Sequence, residues 1–219
     1  MIKNSAIFKV AAQALLGFTS VVALATTAQA AGDAKSGEEK AATCVACHGQ
    51  QGNSAAPNWP SLAGQNEAYI VDTLKAFQIP QEGGKTVEGG RYDVVMTGQA
   101  IPLSEQDMAD LGAYFEQQKM AGKVASPDLV GAGESLYRGG NKDAAISACI
   151  ACHGPSGKGN PPAGYPSLAG QHATYTIKQL KDYRSGNRKS DDSAIMRSIA
   201  ERLTDDEINA VASYIQGLR

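Results

Sequence analysis

The feature that most constrains this chain is that it repeats itself. Cys44-Val-Ala-Cys47-His48 returns as Cys149-Ile-Ala-Cys152-His153, and Pro60-Ser-Leu-Ala-Gly-Gln65 returns as Pro166-Ser-Leu-Ala-Gly-Gln171. From there Asn66 to Phe77 aligns without a gap to His172 to Tyr183, which sets Tyr69 opposite Tyr175 and Leu74 opposite Leu180. Met96 then matches Met196. Each is followed by a leucine, Leu103 or Leu203, and a closing segment, 104–118 or 204–218. A period of about 100 residues is too long for a solenoid and means two complete domains. The division places a first domain at 31–122, a linker at 123–130 and a second domain at 131–219. The linker lies in the stretch Ala121 to Val130, which holds Gly122, Ser126 and Pro127. A domain of about 95 residues has little room for a core of its own, so a large apolar group inside each would supply much of it.

Residues 1–30 stand outside the repeat. Lys3 and Lys9 precede an almost uncharged stretch, Val10 to Ala25, and Ala28-Gln29-Ala30 offers small residues for cleavage. This is the pattern of a secretory signal peptide, and it places the mature chain in the periplasm. Removal takes two lysines and no acids, leaving 18 basic against 22 acidic residues. An acidic chain argues against nucleic acid as a partner. No other segment is apolar enough to span a bilayer, so the mature chain has no transmembrane helix, and loose peripheral association is the only membrane contact expected.

The periodicity is helical. Ser104 with Asp107 and Thr204 with Glu207 place a capping hydroxyl three residues before an acid, a helix-start signature. Met108, Leu111, Tyr114 and Phe115 follow at helical spacing, as do Ile208, Val211, Tyr214 and Ile215. Helices are also predicted after each PSLAGQ segment and over Lys35–Thr43 and Gly133–Ser147, the last broken at Gly139-Gly140. No strand alternation is present. The fold class is all-α, with two tandem domains.

C-x-x-C-H is the signature of c-type haem attachment. Two thiols three positions apart share one face of a helical turn, so each can add to one vinyl group of the porphyrin. The next residue, His48 or His153, then lies beneath the ring as an iron ligand. Three other chemistries use paired cysteines: a redox dithiol, which needs a βαβ setting absent here, a structural zinc, and plain disulfides. A second iron ligand is needed for a closed site, and methionine thioether is the usual partner of histidine in electron transfer. Met96 and Met196 correspond across the repeat and fall 48 and 43 residues after their histidines. Met108 aligns with Ile208 and reads as core; Met120 has no counterpart and lies near the linker. The expected set is therefore two haem c groups, held by Cys44 with Cys47 and Cys149 with Cys152, and ligated by His48 with Met96 and His153 with Met196.

The two CxxCH motifs, the two PSLAGQ segments with their Phe77- and Tyr183-ending helices, Arg184-Ser-Gly-Asn-Arg188 before Met196, and the paired terminal helices resemble the cytochrome c4 family over essentially the whole mature chain. The resemblance implies two class I cytochrome c domains wrapped around one covalent haem each, their N- and C-terminal helices crossing beside it. It implies an electron carrier, not an enzyme, taking electrons from an upstream donor and passing them to a membrane-bound terminal oxidase. An electron-transfer subunit of a larger dehydrogenase is the alternative; a di-haem peroxidase would need an open iron, which two matched methionines oppose. Pro60 and Pro166 match the family's proline, and their carbonyls can accept the histidine's free N–H. Trp59 and Tyr165 precede them and pack against the haem or as ordinary core.

The halves depart from each other in one loop. Eighteen residues separate Phe77 from Met96, against 12 from Tyr183 to Met196, and the longer loop carries Gly83-Gly84 and Gly89-Gly90. His172, aligned with Asn66, is expected as an exposed helix-start residue, and Arg184, Arg188 and Lys189 as a solvated basic loop rather than a propionate or partner contact. The first half carries 7 basic and 12 acidic residues to Lys123; the second, 11 and 10. That asymmetry gives the molecule a dipole.

Overall fold

A computed structural model describes residues 31–219; the leader expected over 1–30 lies outside the described residues. The described chain is helical, with only isolated bridges in place of sheet. The first half contains α1 (Ala34–Lys40), α2 (Val45–His48), α3 (Glu67–Gln78), α4 (Val94–Ala100) and α5 (Glu105–Glu116). The second contains α6 (Pro127–Gly139), α7 (Ile150–His153), α8 (Ala173–Ser185), α9 (Ile195–Ala200) and α10 (Asp205–Gly217). Helix α6 begins at Pro127, whose fixed φ suits a first helical position. It ends at Gly140 in a positive-φ conformation (69°), at the glycine pair where the sequence predicted a break, but the helix expected to resume and run to Ser147 does not form: the chain there makes turns closed by an Asn141–Ile146 bridge.

Both predicted capping boxes form. Ser104 and Thr204 accept from the backbone of Asp107 and Glu207, whose carboxylates accept in return. The helices they start pack against the first helix of their own half, and a glycine sets the closeness of each pair. A Cβ on Gly37 of α1 would stand 2.8 Å from Tyr114 Cβ of α5, and one on Gly133 of α6 would stand 2.7 Å from Tyr214 Cβ of α10. Each half closes its own core. Ile70, Leu74, Phe77, Met108, Leu111 and Phe115 form the first. Leu136, Tyr137, Leu180, Ile208, Val211 and Ile215 form the second.

The halves dock through the repeated segments themselves. Gln65 exchanges two hydrogen bonds with the backbone of Ser167 (2.9 Å each), and Gln171 does the same with Ser61 (2.8 and 3.0 Å). The pairing is reciprocal, as in a two-fold dimer. Two expectations are corrected here. His172 does cap α8, but it is buried, and its Nε2 donates to Ser54 O of the first half at 2.9 Å. Arg188 is not in a solvated loop: it is buried at the domain seam, where the glycine-rich loop of the first half pairs with it across an Arg91–Arg188 bridge. The loop's Gly89 N–H donates to Lys189 O (3.0 Å), and Lys189 N–H donates to Gly90 O (2.9 Å). Arg184 stays at the surface, paired with Asp205 at 2.6 Å.

Candidate haem-binding sites

Each cysteine pair sits at a single helical turn that a glycine terminates. Gly49 after His48 and Gly154 after His153 take φ of 76° and 77°, a region that side chains disfavour. The chain then doubles back. Leu62 N–H donates to Gly52 O at 2.7 Å and Leu168 N–H to Gly157 O at 2.6 Å, which brings each PSLAGQ segment alongside its histidine.

His48 Nδ1 lies 2.8 Å from Pro60 O, and His153 Nδ1 lies 3.0 Å from Pro166 O. A carbonyl only accepts, so Nδ1 carries the proton and Nε2 is left with a free lone pair. Burial lowers both histidine pKa values, only partly offset by the proline carbonyls, so both rings are neutral at pH 7. Neutral imidazole with an oriented, unprotonated Nε2 is the form that ligates a metal. His48 Nε2 is buried without a hydrogen-bond partner. Leaving such an atom unsatisfied costs about 1–3 kcal/mol, and an iron beneath a porphyrin would satisfy it. The residues fit the group.

The cysteines fit it as well. All four are free and half-buried, and burial pushes the Cys44 thiol up and the Cys149 thiol to about 11. A redox dithiol works through a depressed pKa, the opposite of what these sites impose. The two pairs lie in separate halves, and among the described residues no three His, Cys, Asp or Glu side chains gather as a metal cage.

The methionines lie against the same two cores as the cysteines. Asp93 caps α4 by accepting from Val95 N and Met96 N, fixing the turn that carries Met96. Met96 and Cys44 both pack against the first core; Met196 and Cys149 both pack against the second. The second buried polar atom without a partner, Thr97 Oγ1, belongs to the residue after Met96. Met108 is 1% exposed inside the first core, and Met120 lies just before the linker, beside Gly170 and Lys123. Tyr165 stands with its ring 6.3 Å from that of His153, and Trp59 is half-buried. Nothing in the repeat pattern points to Arg91, which lies buried with Arg188 between the halves. The matched phenols of Tyr69 and Tyr175, which those arginines contact, were its only trace.

Two helical domains in tandem, each presenting C-x-x-C-H against a proline carbonyl and a methionine packed on the same core, define a two-domain c-type cytochrome. Comparison with known proteins agrees. The Cytochrome c family model matches residues 34–119 and 132–219. Cytochrome c4 of Azotobacter vinelandii is 49% identical over 207 residues, 94% of this chain and 99% of that one. The crystal structure of reduced recombinant cytochrome c4 from Pseudomonas stutzeri is 50% identical with a TM-score of 0.81, covering 86% of this chain and all of that one. A protein of Thiomonas intermedia (strain K12) named thiosulfate dehydrogenase electron acceptor is 38% identical over 181 residues, 80% of this chain and 78% of that one. The chain belongs to the cytochrome c family and, within it, to the cytochrome c4 group. It is an electron-transfer cytochrome with two haem c groups.

Proposed function

We propose that the protein is a periplasmic electron shuttle that takes electrons from an upstream donor and delivers them to a membrane-bound terminal oxidase. One haem is held by Cys44 and Cys47 and ligated by His48 and Met96; the other is held by Cys149 and Cys152 and ligated by His153 and Met196. The observation that carries this reading is the orphaned, buried His48 Nε2, aimed by Pro60 O and left with a lone pair. Each haem supplies one Fe(II)/Fe(III) couple, and no substrate bond is made or broken.

The chain's own groups set the conditions for that couple. Pro60 and Pro166 hold the imidazoles in one tautomer and raise their basicity as ligands. The methionine thioethers favour Fe(II) and raise the potential. Each core packs against one cysteine and the matched methionine of its own half. The leader pattern supports the compartment. Among the described residues no helix is long and apolar enough to cross a membrane, in keeping with a carrier that meets membrane enzymes from outside.

The test is mass spectrometry and an alkaline pyridine spectrum for two covalent haems, followed by oxidation of the reduced protein by isolated terminal oxidase. An oxidase that does not turn over the reduced protein refutes the acceptor assigned here. A second reading has one observation in its favour, the relative named thiosulfate dehydrogenase electron acceptor. Rapid reduction by a purified thiosulfate dehydrogenase would place this chain in that role.

A further inference from the structure

The two methionine-bearing turns are held in different ways. In the first half the turn is closed by a residue of its own: Asp93 Oδ1 accepts from Val95 N–H at 3.1 Å and from Met96 N–H at 3.2 Å. In the second half Ala194 takes the capping place before α9 and has no side chain to bond with. Ser193 and Ala194 stand at φ of 51° and 56°, a region that side chains disfavour. Between α8 and α9 the chain makes only a short 3-10 turn over Asp192–Ala194. A lead-in of this kind persists only where its surroundings impose it.

The imposed hold is on Arg197, the residue after Met196. Its backbone N–H donates to Asp191 Oδ2 at 2.9 Å and its Nε to Asp191 Oδ1 at 2.7 Å, which ties the lead-in to the helix. Its two Nη atoms both donate to Glu88 of the first half, Nη1 at 2.8 Å. The guanidinium is thus gripped on both edges, and the Glu88 side is the two-pronged geometry that fixes direction as well as distance. The aligned residue of the first half is Thr97, whose hydroxyl has no partner.

Glu88 does not reach across alone. It lies in the longer loop of the first half, and that loop follows the second half's chain toward the methionine. Thr86 Oγ1 donates to Asn187 O at 2.9 Å, Gly89 N–H donates to Lys189 O at 3.0 Å, and Lys189 N–H donates to Gly90 O at 2.9 Å. Thr86 and Gly90 are buried by the contact. Among the described residues no hydrogen bond from the second half reaches 92–97 in return.

Resting on the ligation of the second iron by His153 and Met196 proposed above, we infer that Glu88 is a positioning residue for Met196. The first half's longer loop is a strap that keeps the second half's methionine turn closed through Arg197, and nothing equivalent acts on Met96. A ligand that can enter only when the methionine has moved away binds with an affinity reduced by the fraction of molecules whose turn is open. Loosening the strap raises that fraction at the second haem and leaves the first alone.

The test is an imidazole titration of the ferric holoprotein, followed in the visible spectrum, with the methionine-to-iron charge-transfer band as a second readout. Met196→Ala marks the phase that belongs to the second haem. Glu88→Gln, at a side chain 70% exposed, should strengthen imidazole binding in that phase about fivefold, the equivalent of about 1 kcal/mol, and leave the other phase in place. Arg197→Gln should strengthen it further, because the grip of Asp191 is lost as well, and Glu88→Gln should add nothing on that background. Should Arg197→Gln fail to fold, Glu88→Gln alone decides. A second-haem phase that stays put in Glu88→Gln, two phases that move together, or a Glu88→Gln effect undiminished in the Arg197→Gln background would overturn the strap. A Met196→Ala titration identical to that of the wild type would refute the ligation itself, a separate failure.

Discussion

Two glycines two residues apart in α6 should respond to the same substitution in opposite directions. At Gly131 an added Cβ meets nothing within 4 Å. Ala there gains helix propensity of about 0.8–1 kcal/mol. At Gly133 the same Cβ would meet the Ala210 carbonyl oxygen first and would stand 2.7 Å from Tyr214 Cβ and 2.8 Å from the Ala210 carbonyl carbon. Carbon atoms rest at about 3.5–4.0 Å, so α6 and α10 would have to part by roughly 0.8 Å along the contact that buries Tyr137 and Tyr214. Overpacking of this kind costs about 1–3 kcal/mol; set against the propensity gain of about 1 kcal/mol, Gly133→Ala is expected to destabilise the second half by up to about 2 kcal/mol. For a domain of this size each kcal/mol moves the midpoint by about 4–8 °C. The assay is thermal unfolding of the holoprotein by far-ultraviolet circular dichroism, with guanidinium titration alongside. Gly131→Ala should raise the second transition by several degrees and Gly133→Ala should lower it. If both variants move it the same way, a glycine at the helix contact is not what sets the closeness of that pair.

Met196→Ala should open one iron to carbon monoxide and lower that haem's potential, whereas Met108→Ala should cost about 2–5 kcal/mol in stability and leave the ligand spectrum of the folded protein unchanged. The reverse pattern would mean that Met196 is not a ligand. Replacing Cys44 and Cys47 together by serine should leave a chain one haem lighter by mass, with the second haem's spectrum intact; retention of both haems counts against the attachment. Asp110 is buried, and although burial raises its pKa, its bonds from Lys40 Nζ, Asp33 N–H and Gln106 bring the net value below normal. Its contribution is therefore present above the unfolded carboxyl pKa of about 3.9 and is lost as pH falls below it. Ala210 occupies the matching place in the second half, so the first half should unfold first in acid, and Asp110→Asn should lower its neutral-pH stability while flattening that acid step. A first half that survives acid as well as the second would refute this.

The sequence is most legible where a residue's job is local. Ser104 and Thr204 announce their helices because a capping box is closed within four residues. The cysteines, the histidines and the proline carbonyls belong to one short stretch in each half, so the repeat exposes them twice. What the sequence hides is the docking of one copy on the other. His172 reads as an exposed helix start from its own half, and it does start a helix; only the approach of Ser54 from the other half buries it. Arg188 reads as loop charge because Tyr69, its partner, lies 119 positions away. The six extra residues of the first half's loop mark a departure from the repeat, yet nothing in their composition says that Thr86 will reach Asn187 O or that Gly89 will pair with Lys189. A repeat reveals how many units a chain has and leaves open which faces they turn to each other.

The reciprocal Gln65–Ser167 and Gln171–Ser61 bonds bear on how strong such a seam needs to be. Between separate chains it would have to overcome lost translational and rotational freedom, estimated at about 4–15 kcal/mol. Here the non-helical segment 120–126 that joins the halves is tied to both sides: Lys123 Nζ donates to Ser61 Oγ and to Gly170 O, and Ser126 N–H donates to Ser213 Oγ. Short tethers hold two modules at an effective concentration in the millimolar range. Four hydrogen bonds that two free partners would break and remake at micromolar concentration are thus kept made. Fusion into one chain turns a transient encounter between two redox modules into a fixed spacing that no longer depends on how much protein the cell produces.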